Sequence, residues 1–215
     1  MTINENENAP QKSASAILKK IWISILGVVV VGGVLLLALN ALKPYAFHGA
    51  VLQSPQPAHN FTLPNHYGQD ASLSDYEGKV VLLYFGYAAC PDVCPTTLAE
   101  LKEATDLLGE RARDVQTIMI TVDPERDTPE IMAEYLAHFH PSFLGLIGTE
   151  EEVAQIATYY GVFYQKQESD SALGYLVDHT ATVMLVDQDG YLRLLFPYGT
   201  EGAEIAEDIE YILDH

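Results

Sequence analysis

From Ile21 to Leu42 the chain is apolar except for Ser24 and Asn40, and it holds no charge. A run of that length is enough for one membrane-spanning helix. Beyond it the pattern breaks into short apolar blocks. Val80 to Phe85 is continuously apolar over the length of a strand, which predicts a strand buried on both faces. Gln116 to Val122 predicts a second core strand. Pro95 to Leu108 places Leu98, Leu101, Thr105 and Leu108 on one helical stripe, ended by Gly109. Thr128 and Pro129 supply the cap and first residue of a helix with Ile131, Tyr135 and Phe139 on one face. Thr149 and Glu152 form a capping box for a helix reaching about Tyr160. Phe61 to Leu63, Phe143 to Ile147 and Val162 to Tyr164 are short strand-like pieces, and Gln165 to Gly174 is a polar excursion. Ala181 to Val186 and Tyr191 to Phe196 flank Asp187-Gln188-Asp189-Gly190, a hairpin signal. Thr200 caps a last helix with Ile205, Ile209 and Ile212 facing inward. Strands alternating with helices, with an antiparallel pair near the end, predict an α/β sandwich with a mixed sheet.

This divides the chain into residues 1–20, an anchor at 21–42, a linker at 43–59 rich in Pro, Gly and Ser, and a domain at 60–215. A cleaved signal peptide is the rival reading of the anchor. The apolar run is too long for a signal core, and no Ala-x-Ala site follows before Ala50. Lys12, Lys19 and Lys20 precede the span and Lys43 follows it, so the positive-inside rule puts residues 1–20 in the cytoplasm and the domain outside. The N-terminus carries glutamates and no arginine, unlike a mitochondrial transit peptide. The expectation is a single-pass protein of a bacterial plasma membrane, with its domain in the oxidising periplasm or its equivalent. Past the anchor roughly 170 residues remain, enough for one domain with its own core.

The net charge is -19, and the first 43 residues hold four lysines against two glutamates, so the rest carries -21. Such a surface argues against nucleic acid or an anionic membrane face as partner. It suits a basic protein patch or a cation.

Cys90 and Cys94 are the two cysteines of the chain, and they lie where the buried strand gives way to a helix. A thiol exposed at a helix N-terminus favours its thiolate, the form that binds metal and attacks disulfides. A redox pair at that junction, in such a layout, is the arrangement of thioredoxin. Four residues of helix advance about 6 Å and turn about 40°, within the reach of a disulfide. The pair can therefore bond to itself or point at one ion. As a staple it would be weak, because so short a loop constrains the unfolded chain little. Asp92 is placed to cap the helix.

Two thiolates hold Cu(I), which prefers soft ligands, and an added imidazole would extend the site to Cu(II). Of the seven histidines, His48 and His59 fall in the linker, and His138 and His140 end a helix. His179 differs. It sits in Asp178-His179-Thr180-Ala181, before a core strand, where a thioredoxin-like layout brings the loop against the redox pair. Asp178 is positioned to orient its second ring nitrogen. Met184 in that strand is read as core filling rather than as a weak copper ligand.

Three segments together resemble the Sco/SenC family: Phe85-Gly86-Tyr87 through Cys90-Pro91-Asp92-Val93-Cys94-Pro95, Thr121 through Pro129, and Val177 through Ala181. They keep the family's order and spacing over about residues 58–213. The resemblance implies a thioredoxin-like fold behind an N-terminal anchor, with copper bound by Cys90, Cys94 and His179. It implies delivery of copper to the dinuclear copper site of cytochrome c oxidase, or preparation of that site's cysteines. The implied partners are the oxidase's copper-site subunit and other copper chaperones or thioredoxin-like reductants. The chain departs from the family at Ala88, where a hydroxyl residue is usual, and at Met184, where an aromatic is frequent. Asp123 to Pro129 reads as strand end, turn and helix cap, with Glu125 and Arg126 able to contact a partner. A metallochaperone and a thiol-disulfide oxidoreductase are the two functions in contention. A thiol peroxidase is disfavoured, because Leu83 and Tyr87 stand where such enzymes keep Pro and a hydroxyl residue.

Overall fold

The computed structural model describes residues 12–41, 44–168 and 174–215. Residues 1–11, with Leu42 and Lys43 at the end of the anchor, lie outside the described residues. The chain divides into a unit ending at Ala46 and a unit running from Phe47 to His215. Among its described residues the first contains one helix, α1 (Lys12–Ala41). Its stretch Ile17–Leu36 has a mean hydropathy of 2.0 and is long and apolar enough to cross a membrane.

The second unit is built on ten strands and four helices among the described residues. The strands are β1 (Ala50–Pro57), β2 (Thr62–Pro64), β3 (Asp70–Ser72), β4 (Val80–Gly86), β5 (Val115–Thr121), β6 (Leu144–Leu146), β7 (Tyr164–Glu168), β8 (Tyr175–His179), β9 (Val183–Val186) and β10 (Tyr191–Phe196). The helices are α2 (Val93–Leu108), α3 (Pro129–Ala137), α4 (Glu150–Tyr160) and α5 (Gly202–Asp214). Six strands form one sheet in the order β1-β10-β9-β4-β5-β6. β4 runs parallel to β5 and antiparallel to β9, so the sheet is mixed. Every residue of β4 is buried, which fits its unbroken apolar run and requires cover on both faces. α5 lies on α2, where Glu100 accepts the Gly202 amide at 2.7 Å. A side chain at 202 would strike the Glu100 carbonyl, so the contact needs glycine. Met184 is core, 3% exposed, between Leu83 of β4 and Leu195 of β10.

Several expectations are displaced. The segment 43–59 read as linker contains β1, an edge strand antiparallel to β10 with an irregular register between Val51 and Gln56. An edge tolerates Pro55 and Pro57 because one row of amides has no ladder partner. On α3 the buried residues are Met132 and Leu136, whereas Ile131 is 46% exposed and Phe139 lies past the helix end. The cause is Gly145 on β6: it presents bare backbone to Met132 and Leu136, and the helix rolls those side chains into the space. The polar excursion after Tyr164 is the β7–β8 hairpin, of which residues 169–173 lie outside the described residues. Glu201, not Thr200, caps α5, with Glu204 completing its capping box.

Candidate metal centre

β4 ends at Gly86, and the chain turns through Tyr87, Ala88 and Ala89 to Cys90 before α2 begins. Asp92 occupies the cap position but its side chain makes no cap hydrogen bond. The Cys90 sulfur serves instead, accepting the Cys94 amide at 3.4 Å. A free amide of the first helical turn, with the dipole behind it, thus points at a sulfur. Cys94, the second residue of α2, is fully buried, and Cys90 is 9% exposed; both are free thiols.

His179 arrives from the far end of the chain as the last residue of β8. Its Nε2 lies 3.2 Å from the Cys94 Sγ. Its Nδ1 lies 3.2 Å from the Thr180 carbonyl, which can only accept, so Nδ1 carries a hydrogen and the Nε2 edge of the ring faces the sulfurs. The expected orienting partner, Asp178, is exposed; the adjacent carbonyl is nearer because β8 turns its alternate side chain outward. The rings of Tyr84 and Tyr87 stand edge-on to the imidazole, at 6.1 and 5.8 Å between centroids. One ligand atom from each of Cys90, Cys94 and His179 lies within 4.8 Å of the others. Met184 is not in this group; the methionine near Cys94 is Met119, whose methyl lies close to Gly86 on the neighbouring strand.

The two thiols are unequal. The Cys90 thiol is drawn well below the usual range, chiefly by the Cys94 side chain hydrogen bonding to its sulfur, with His179 and backbone amides adding to the pull. Burial pushes the Cys94 thiol up. Cys90, Pro91, Leu176 and His179 line a cleft of about 400 Å³. The thiol whose pKa is lowered is therefore the one that lines it.

Asp123 to Asp127 does more than turn the chain. The Asp127 carboxylate, 1% exposed, accepts the Thr121 hydroxyl at 2.6 Å and the Ala88 amide at 3.1 Å. It ties the cysteine loop to the end of β5. The Arg126 guanidinium pairs with buried Asp123, lies 3.8 Å from the Tyr175 ring centre and donates to the Tyr175 carbonyl at 3.0 Å. The Tyr175 hydroxyl donates to Asp123 at 2.8 Å. Lys166 of β7 bridges Glu125 and Glu150 at 2.9 and 3.0 Å. The Val177 amide donates to the Tyr87 hydroxyl at 3.1 Å. One segment thus holds both the loop bearing Cys90 and the hairpin bearing His179. The readable signal was two acids flanking an arginine directly after a core strand. His48 is placed elsewhere, between Glu204 and Glu207, and His59 stacks on Tyr159 at 3.5 Å.

Fold and site together define a thioredoxin-like domain carrying a Cys-Cys-His group able to hold a soft metal ion. The family model described as SCO1/SenC matches residues 50–214, and the chain belongs to that family. It is 35% identical to the SCO2-like protein of Rickettsia felis over 149 residues, covering 69% of this chain and 73% of that protein. It is 38% identical to the mitochondrial protein SCO1 homolog of Homo sapiens over 151 residues, covering 69% of this chain and 50% of that one. The structure of copper-bound ScoI from Bradyrhizobium japonicum superimposes with a TM-score of 0.68 at 38% identity, covering 74% of this chain and 100% of that one. Apo Sco1 from Thermus thermophilus gives a TM-score of 0.70 at 44% identity, covering 79% and 98%.

Proposed function

We propose that this chain is a membrane-anchored copper chaperone for the dinuclear copper site of cytochrome c oxidase, with Cys90, Cys94 and His179 as the copper ligands. The convergence of one ligand atom from each of the three within 4.8 Å carries this reading. The copper-bound state of a relative 38% identical supports the choice of metal, as does the preference of thiolates for soft ions. α1 is the anchor, with residues 1–20 cytoplasmic and the domain on the outer side of a bacterial plasma membrane; the lysines preceding the span support that orientation.

In the mechanism Cys90 engages the cargo first, because its thiolate forms most readily and it opens on the cleft. Cys94 and the His179 Nε2 would supply the other two ligand atoms. Release to the partner proceeds by ligand exchange at the Cys90 side. Joining the two thiolates in a disulfide, with two electrons passing to an oxidised partner and the ion leaving the sulfurs, would withdraw two ligands at once. Copper titration of the reduced, detergent-solubilised protein tests this: affinity is lost in Cys90→Ala and weakened in His179→Ala. Unchanged affinity in both rules the proposal out.

A thiol-disulfide oxidoreductase acting on the oxidase's cysteines is the second reading. The inequality of the thiols favours it, since a thiol of lowered pKa lining the cleft and a second thiol behind it whose pKa burial raises suit attack and resolution. His179→Ala separates the two: retained reduction and retained oxidase assembly would assign the reductase role.

A further inference from the structure

Tyr84 is 0% exposed, and its hydroxyl is buried with no hydrogen-bond partner among the described residues. A buried polar group left unpaired weakens a fold, and phenylalanine would fill the same space without that cost. The oxygen therefore calls for a state of the protein in which it is used.

Its surroundings indicate which state. Tyr84 lies two residues before Gly86, on the same face of β4, and pairs across the sheet with Met119. A Cβ at Gly86 would fall 2.8 Å from the Tyr84 Cε1, 3.0 Å from the Cys94 Sγ and 3.2 Å from the Met119 Cε. The glycine thus lets the phenol ring and the Cys94 sulfur close on one point. The same ring stands edge-on to His179, with 73° between the planes. The side chains beside the hydroxyl are Cys94 and Thr97. Thr97 already donates its hydrogen to the Val93 carbonyl at 2.8 Å. A thiol is a poor acceptor, whereas a metal-bound thiolate carries negative charge and is a good one.

We infer that Tyr84 is a positioning residue of the metal centre: its hydroxyl donates to the Cys94 sulfur when that sulfur holds the metal, fixing its direction and drawing electron density from it. This rests on the reading of Cys94 as a copper ligand. Hydrogen bonds to ligand sulfurs are a general means of tuning metal affinity and potential.

The test is Tyr84→Phe in the full-length, detergent-solubilised protein, with Thr97→Val and Cys94→Ala beside it. Three quantities are read: the melting temperature of the reduced, metal-free form, Cu(I) affinity by chelator competition, and the sulfur-to-Cu(II) charge-transfer band. Tyr84→Phe is expected to melt metal-free at or above the parent, to bind Cu(I) about tenfold more weakly, as loss of one charge-assisted hydrogen bond implies, and to shift the band. Thr97→Val leaves affinity and band unchanged. An affinity within twofold of the parent, an unmoved band, or the same effects from Thr97→Val overturns the inference. A lower melting temperature with affinity and band unaltered assigns the tyrosine to packing and also overturns it. Full affinity in Cys94→Ala sinks the ligand reading itself, whereas loss there with an unaffected Tyr84→Phe sinks the inference alone.

Discussion

Replacing Asp127 with alanine removes the acceptor of one buried bond, from the Thr121 hydroxyl at 2.6 Å, and of one part-buried bond, from the Ala88 amide at 3.1 Å. Each donor left without an acceptor costs about 1–3 kcal/mol. Part of that is returned, because burial already pushes the Asp127 carboxyl up and its charged form is held at a cost. The net loss is about 2–4 kcal/mol by the same scale. In a domain of this size about 2–4 °C of melting temperature accompanies each kcal/mol, so the variant melts about 4–16 °C lower. Asp127→Asn keeps one oxygen for Ala88 and retains most of the stability. The loop from Ala88 to Cys90 loosens in the alanine variant, so Cu(I) affinity falls with the melting temperature. Calorimetry on the reduced protein and chelator competition at a temperature where both variants are folded provide the readings. A melting temperature within 2 °C of the parent, on the scale just used, with full affinity would refute the assignment of Asp127 as the brace of the cysteine loop.

Gly86→Ala forces a methyl against the Cys94 sulfur and the Tyr84 ring, and overpacking a closed core costs about 1–3 kcal/mol. Copper affinity drops along with stability, and an unchanged melting curve would show that the space is not closed. Iodoacetamide labels Cys90 with a midpoint well below the ordinary thiol range while Cys94 stays unmodified. Cys94→Ala raises that midpoint because the strongest contribution to it is gone; equal labelling of both cysteines in the parent would contradict this. His66 accepts the Gly145 amide on Nδ1 at 2.9 Å, and burial lowers its pKa. The unfolded chain then takes up the proton first, so stability is full above the ordinary value of about 6.5 and is lost as pH falls through the depressed one. His66→Asn flattens the melting temperature between pH 7.5 and 5 relative to the parent; parallel slopes would remove His66 as the cause.

The cysteines were legible because an apolar run of strand length ends just before them and a helical stripe begins just after. His179 was legible because it precedes a core strand that must lie beside that junction. Its tautomer was not: the choice of the Thr180 carbonyl over Asp178 depends on how β8 directs alternate side chains. β1 was hidden by Pro55 and Pro57, and its pairing with β10 links residues far apart in sequence, which no local pattern announces. The buried face of α3 was misassigned because the deciding group, Gly145, is on another element. The β7–β8 hairpin is two-stranded and mostly solvated, so it shows no apolar face to read. Asp123 and Asp127 looked like turn and cap residues, since carboxylates in such positions are common at helix starts. Only their burial reveals that they brace both arms of the site.

X-ray absorption at the copper edge, on the reduced full-length protein loaded with one equivalent of Cu(I), tests the coordination directly. Two sulfur neighbours and one imidazole nitrogen are expected, with the nitrogen lost in His179→Ala. A single sulfur, or an unchanged nitrogen contribution in that variant, would contradict a centre made by Cys90, Cys94 and His179.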